Sequence, residues 1–138
     1  MKDLSPETVT RICRHPDVYP HIRDDGSPSP KDYYAPLGMQ YLGDEGFFVA
    51  FQPISYSVWE AHIGAVPERR GNCHEVLAEA FQEMSKRGAK KILAHPLSSN
   101  DRAISCFLKA GMDIEGSREA SLLRDGILHD QTCLGISL

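Results

Sequence analysis

The chain predicts one α+β domain of 138 residues, a mixed and mostly antiparallel sheet with helices packed on it. Three observations predict it. Apolar runs at 39–42 and 47–51 flank Gly43-Asp44-Glu45-Gly46, the pattern of an antiparallel hairpin. Two strand–helix units then follow in succession, and a second hairpin turning at Asp125-Gly126 closes the chain. A helix, antiparallel strands, two strand–helix units and a hairpin can share one core only as a sheet that mixes both pairings.

Each element has its own local cause. Ser5-Pro6-Glu7 opens a helix with serine at the cap and proline in the first turn, and Val9, Ile12 and Cys13 give it an apolar stripe that must stop before Pro16. Residues 15–36 hold five prolines around Asp24-Asp25-Gly26-Ser27 and read as irregular connection with room for one short helix. Tyr33 and Tyr34, at its end, are expected to pin the segment to the core. After the first hairpin, Pro53 closes a strand and residues 58–66 form the next, with Trp59, Ala61 and Ile63 on one side and Glu60 and His62 on the other.

The turn Glu68-Arg69-Arg70-Gly71-Asn72 leads into an amphipathic helix. Its stripe is Cys73, Val76, Leu77, Ala80, Phe81 and Met84, and Gly88 stops it. A short strand over 89–94 is broken by Pro96. Ser98-Ser99-Asn100-Asp101 caps a second helix, with Ala103, Ile104, Phe107 and Leu108 inward and Gly111 at its end. Strands over 116–123 and 127–136 make the closing hairpin. No repeat, low-complexity stretch or interdomain linker interrupts this order.

Composition narrows the function. A net charge of −4 and a pI near 5.8 argue against a nucleic-acid binder and favour a cationic or amine-bearing partner. Cys13, Cys73, Cys106 and Cys133 are scattered without a C-x-x-C pair, so the spacing suggests neither a metal site nor a disulfide framework. A reduced, cytoplasmic protein is the expectation. No apolar run approaches the roughly 18 residues of a membrane span, and Lys2, Asp3 and Glu7 stand where a signal peptide would be apolar. The pattern does not fix the oligomeric state, and a homodimer is one option it leaves open.

The turn before the long helix is where the sequence offers chemistry. The first amides of a helix are unpaired and its N-terminus carries a partial positive charge. Arg69, Arg70 and Gly71 sit immediately before this one, which makes it a place to hold an anion, phosphate above all.

The stretch Ala65-Val66-Pro67-Glu68-Arg69-Arg70-Gly71-Asn72-Cys73 resembles the acyl-CoA-binding motif of the GNAT N-acetyltransferase superfamily. Glu68 stands where that motif usually has Gln or Arg, and Cys73 where it has Gly or Ala. The segment from Asn100-Asp101-Arg102-Ala103 to Lys109-Ala110-Gly111-Met112 resembles the family's Asn-x-x-Ala segment. Glu115-Gly116-Ser117-Arg118 and the strand pair around Arg124-Asp125-Gly126 look like the closing hairpin of the ribosomal-protein alanine acetyltransferase branch. The resemblance covers roughly residues 47–138. It implies a GNAT-like fold with the sheet splayed at its central strands and helices on both faces.

The resemblance also implies a cofactor, acetyl-CoA. Its diphosphate would lie on the amides of Arg69, Arg70, Gly71, Asn72, Cys73 and His74. Its pantetheine arm would run between the strand carrying Ile63, Ala65 and Val66 and the strand over 91–95, against Asn100, Ala103 and Phe107. Asn100 would serve the arm through its carboxamide, or serve as a plain helix cap, or both.

Acetyl transfer to an amine needs a neutral nucleophile, and freeing an amine of pKa about 10.4 at neutral pH costs roughly 4–5 kcal/mol. A positioned base lowers that barrier. Glu60 and His62 share one strand face near the cofactor turn, and Glu60 is the first choice. The family's usual general acid, a tyrosine seven residues after the Asn, is here Phe107. The resemblance therefore implies an N-acetyltransferase acting on a primary amine of a small molecule or protein, with a catalytically weak or inactive acyl-CoA-binding module as the alternative.

Overall fold

The computed structural model describes residues 1–138. Seven strands form one sheet: β1 (Lys2–Asp3), β2 (Gln40–Gly43), β3 (Phe47–Pro53), β4 (Val58–Ala65), β5 (Lys91–Ala94), β6 (Asp113–Arg124) and β7 (Ile127–Ser137). Four helices pack on it: α1 (Pro6–Cys13), α2 (Tyr19–Ile22), α3 (Cys73–Lys86) and α4 (Asp101–Lys109). The strand order is β1-β2-β3-β4-β5-β7-β6. Every neighbouring pair is antiparallel except β4 and β5, which run parallel because α3 carries the chain back between them.

The continuous apolar run from Phe47 to Phe51 has a simple cause, since β3 is buried on both faces. Phe47, Val49 and Phe51 enter one core with Leu77, Phe81 and Met84 of α3 and Phe107 of α4. Phe48 and Ala50 enter a second core, on the opposite face, with Val9, Ile12 and Cys13 of α1. Burying a side chain such as Leu77 or Met84 completely stabilises the fold by about 1.5–3 kcal/mol each. Gly64 of β4 lets the strands pack this closely, because a Cβ there would stand 2.4 Å from the Phe48 ring.

The proline-rich segment contains α2, the one short helix it had room for. Tyr33 pins it by packing against the second core, and within the segment it meets Tyr19 edge to face with ring centroids 6.0 Å apart. Tyr34 stays exposed and instead donates its hydroxyl to Glu7, at 2.9 Å. The segment is also tied to the tip of the closing hairpin, where the amides of Asp125 and Gly126 donate to the Asp25 carboxylate at 2.7 and 2.8 Å. Positive φ at both Asp125 and Gly126 makes the tight turn that the Asp-Gly pair predicts.

Two sequence expectations change. The two-residue β1 was not anticipated; it pairs with β2 through Lys2 and Asp3. Leu108 faces outward, 41% exposed, because Cys106 and Phe107 take the inward positions of α4.

Candidate active site

The site begins where the parallel pairing ends. β4 and β5 are in register at Val58 with Lys91, Trp59 with Ile92 and Glu60 with Leu93, and no further. Beyond Glu60, β4 pairs with β3 alone, so its other edge up to Ala65 faces an opening. A cavity of about 920 Å³ occupies that opening. Glu60, His62, Ile63, Ala65, Arg70, Cys73, Asn100, Ala103 and Phe107 line it, whereas Val66, Arg69, Gly71, Asn72 and His74 lie outside the lining.

The helix starts of this protein differ in a telling way. Ser5 caps α1 by accepting from the Thr8 amide, and Asn100 caps α4 by accepting from the Ala103 amide at 3.2 Å. At α3, Asn72 makes no side-chain cap. Neither Gly71 nor Asn72 gives its backbone amide to a carbonyl of the chain, and no atom lies within 4 Å of where a Gly71 Cβ would stand. The start of α3 is therefore an open, positively polarised end of the kind that accepts phosphate.

The two arginines of the turn part company. Arg69 pairs with Asp44 in the first hairpin. Arg70 turns into the cavity, donating from Nε to the Ala65 carbonyl at 3.1 Å and from Nη2 to the Asp17 carbonyl at 2.5 Å.

Glu60 is the centre of the polar cluster. Its Oε2 lies 3.4 Å from Nε2 of His62, and its Oε1 contacts Nδ1 of His95, which follows the end of β5. Nε2 of His95 accepts from Nη2 of Arg118 on β6, at 3.1 Å. Since an arginine can only donate, this nitrogen is bare, and the proton of His95 sits on Nδ1, pointed at Glu60. The backbone carbonyl of His95 accepts from Nε2 of Gln131 at 2.7 Å, which fixes the residue beside the strand. The His62 ring, and after it His95, hold the Glu60 carboxyl down at about 2, against burial that pushes it up.

Sequence reasoning reached Glu60 and His62 and missed His95 and Arg118. The available signal for His95 was its position at the carboxyl end of a strand that runs parallel to β4, where α/β sheets place their sites. For Arg118 no local signal existed.

One expectation is overturned. Cys73 and Cys106 form a disulfide, with Cα atoms 6.1 Å apart, joining the first residue of α3 to α4. They are 33 residues apart in sequence, so only the packing of the two helices side by side brings them together. Cys13 and Cys133 are free, and burial pushes the Cys13 thiol up to about 11.

No family model and no curated protein matches the chain. Solved structures do. A ribosomal-protein-alanine N-acetyltransferase from Brucella melitensis is 17% identical over 73% of this chain and 70% of its own, with a TM-score of 0.65. A Salmonella typhimurium structure with its cofactor acetyl-CoA is 17% identical over 74% of this chain and 66% of its own, with a TM-score of 0.65. Spermidine N-acetyltransferase from Vibrio cholerae, in complex with CoA and spermine, is 14% identical over 99% of this chain and 93% of its own, with a TM-score of 0.78. The agreement extends over the whole sheet and its helices, so this chain has the GNAT fold that its N-acetyltransferase neighbours share.

Proposed function

We propose that the protein is an acetyl-CoA-dependent N-acetyltransferase acting on a primary amine. The observation that carries the reading is the Glu60–His62 pair at the vertex where β4 and β5 part, facing the cavity. The open start of α3 with Gly71 suits a diphosphate, and the unpaired edge of β4 suits the amide-bearing arm of coenzyme A. Asn100 serves both roles at once, because its Oδ1 caps α4 and its amide nitrogen keeps two donors for the arm. The neighbours solved with acetyl-CoA or CoA support the same cofactor.

Bound acetyl-CoA would supply an activated acyl thioester; the chain must supply a neutral amine. Glu60 is a poor proton acceptor. Moving a proton from an ammonium of pKa about 10.4 to a carboxyl at about 2 climbs roughly 11 kcal/mol. Nε2 of His62 lies 3.4 Å from Glu60, so a ring that carries its proton on that nitrogen keeps a bare Nδ1, and the ring is half exposed and lines the opening. His62 therefore takes the proton and Glu60 orients it. Phe107 has no proton to give, and the departing thiol, with an ordinary pKa near 8.5, leaves without an acid.

Phe107 also favours a competing reading, a module that binds acyl-CoA without turnover. Thiol release from acetyl-CoA across a broad amine panel, with and without His62→Gln, separates them. The expected result is acceptor-dependent release that falls on the order of 10²–10⁴-fold in the variant, with acetyl-CoA affinity by calorimetry retained. Binding without acceptor-dependent release on any amine supports the binding module instead.

A further inference from the structure

Of the nine arginines, Arg11 and Arg14 lie outside the cavity without a carboxylate partner, and the other seven divide by location. Arg23, Arg69 and Arg87 are paired with carboxylates, and none of the three lines the cavity. Arg70, Arg102, Arg118 and Arg124 line it, and none has a carboxylate partner. The only acids in the lining are Glu60, already engaged by two histidines, and Asp101 at the start of α4. The cavity is thus cationic inside a protein whose net charge is −4.

Two of these arginines lie on the α3 and α4 side of the opening, where the cofactor reading, on which this inference rests, puts the diphosphate and the arm. Arg70 belongs to the diphosphate turn and Arg102 to the first turn of α4. Arg118 and Arg124 come from β6, on the other side of the opening. Arg124 donates to the backbone carbonyls of Arg23 and His21 at 2.8 and 3.3 Å and makes no ion pair, although the carboxylates of Asp125, Asp24 and Asp25 lie near enough to offset part of its charge. Arg118 uses one donor on His95 and keeps the rest of its planar fork free. Burial, and after it the charges of Arg70, Arg124 and Arg102, hold the His21 ring below its ordinary value, which agrees with a positive interior.

We infer that the acceptor is a small amine that also carries an oxyanion, a carboxylate or a phosphonate, and that Arg118 is the residue that reads it. Arg118 is linked through His95 and Glu60 to His62, so an oxyanion on its free fork anchors the acceptor on the side of the cavity that holds the base. A polycation such as spermine meets the opposite situation, because no lining carboxylate but Asp101 is free to receive it. The bonds from Asp25 to the hairpin tip join two segments that both line the cavity, through His21 and Ile22 on one and Leu122 and Arg124 on the other. That closure suits a small acceptor rather than a protein terminus.

The test uses matched acceptors with labelled acetyl-CoA: amino acids, amino phosphonates, the corresponding amines without the acid group, and spermidine. Acid-bearing amines are expected to exceed their neutralised counterparts in kcat/KM on the order of tenfold or more. Arg118→Gln should bring that ratio toward one, Arg118→Lys should keep part of it, and the two acid classes in the panel show which oxyanion is preferred. The ratio is the readout because a merely structural role through His95 would lower both acceptors alike. A preference for spermidine, equal turnover of matched pairs, or a ratio preserved in Arg118→Gln overturns the inference while leaving the transferase reading intact. Acetyl-CoA binding with no acceptor acetylated overturns both.

Discussion

Glu60→Gln probes the polar cluster where its charge matters most. The carboxyl sits at about 2 against an ordinary 4.5, held there first by His62 and then by His95. Through linkage such a depression is worth roughly 3 kcal/mol of folding stability. Because the folded value lies below the unfolded one, that stabilisation is complete above about pH 4.5 and is lost as the pH falls through about 2. Glutamine keeps the shape and one acceptor oxygen but carries no charge. Urea denaturation at about pH 7 should therefore find the variant up to about 3 kcal/mol less stable, with the gap shrinking below half of that at about pH 3. A gap of equal size at both values would refute the reasoning, since it would report lost packing rather than lost charge. Turnover supplies the second arm. Glu60→Gln should lower kcat/KM less than His62→Gln does, because it loosens the base without removing it, and the reverse order would make Glu60 the base.

Gly71→Ala should leave folding unharmed or improve it by up to about 1 kcal/mol, since its methyl meets nothing within 4 Å. The same methyl obstructs the approach of a diphosphate to the start of α3, so calorimetry should show acetyl-CoA bound on the order of tenfold more weakly; unchanged affinity would move the phosphate site elsewhere. The Cys73–Cys106 bridge closes a segment of 33 residues and contributes about 3–4 kcal/mol by loop entropy. Alkylation in denaturant before reduction should label only Cys13 and Cys133, and reduction should lower the urea midpoint; four labelled cysteines in the unreduced protein would refute the pairing.

What was legible in the sequence is what short-range rules control. The first hairpin was visible from Gly43 to Gly46, α3 from its stripe between Cys73 and Met84, and the closing turn from Asp125-Gly126, because each is decided by residues within a turn or two of one another. The alternation of β4 was equally readable: Ala61 is buried and Trp59 and Ile63 pack on the same core, while His62 faces out. The site was legible along β4, in part at the turn, and around α4 at Asn100, Ala103 and Phe107. His95 and Arg118 belong to it through contacts spanning 35 and 23 residues, and Cys73 meets Cys106 across 33, distances over which no periodicity carries information. Leu108 failed for a different reason, as the spacing of α4 allowed either of two adjacent stripes and the position of the core chose the one through Cys106 and Phe107.

The register of the sheet explains why one residue holds so much of the site. Glu60 is the last position of β4 in register with β5, opposite Leu93, and so stands at the vertex from which the two strands separate. One of its oxygens faces His62, on the arm of β4 that swings away; the other contacts His95, just past the end of β5. The carboxylate therefore spans the opening at its narrowest point and sets both the separation of the strands and the orientation of the base. A neutral side chain there should widen the opening as well as loosen His62. The charge component of that change vanishes at low pH and the shape component does not, which is why stability measured at two pH values can separate the chemical role of Glu60 from its architectural one.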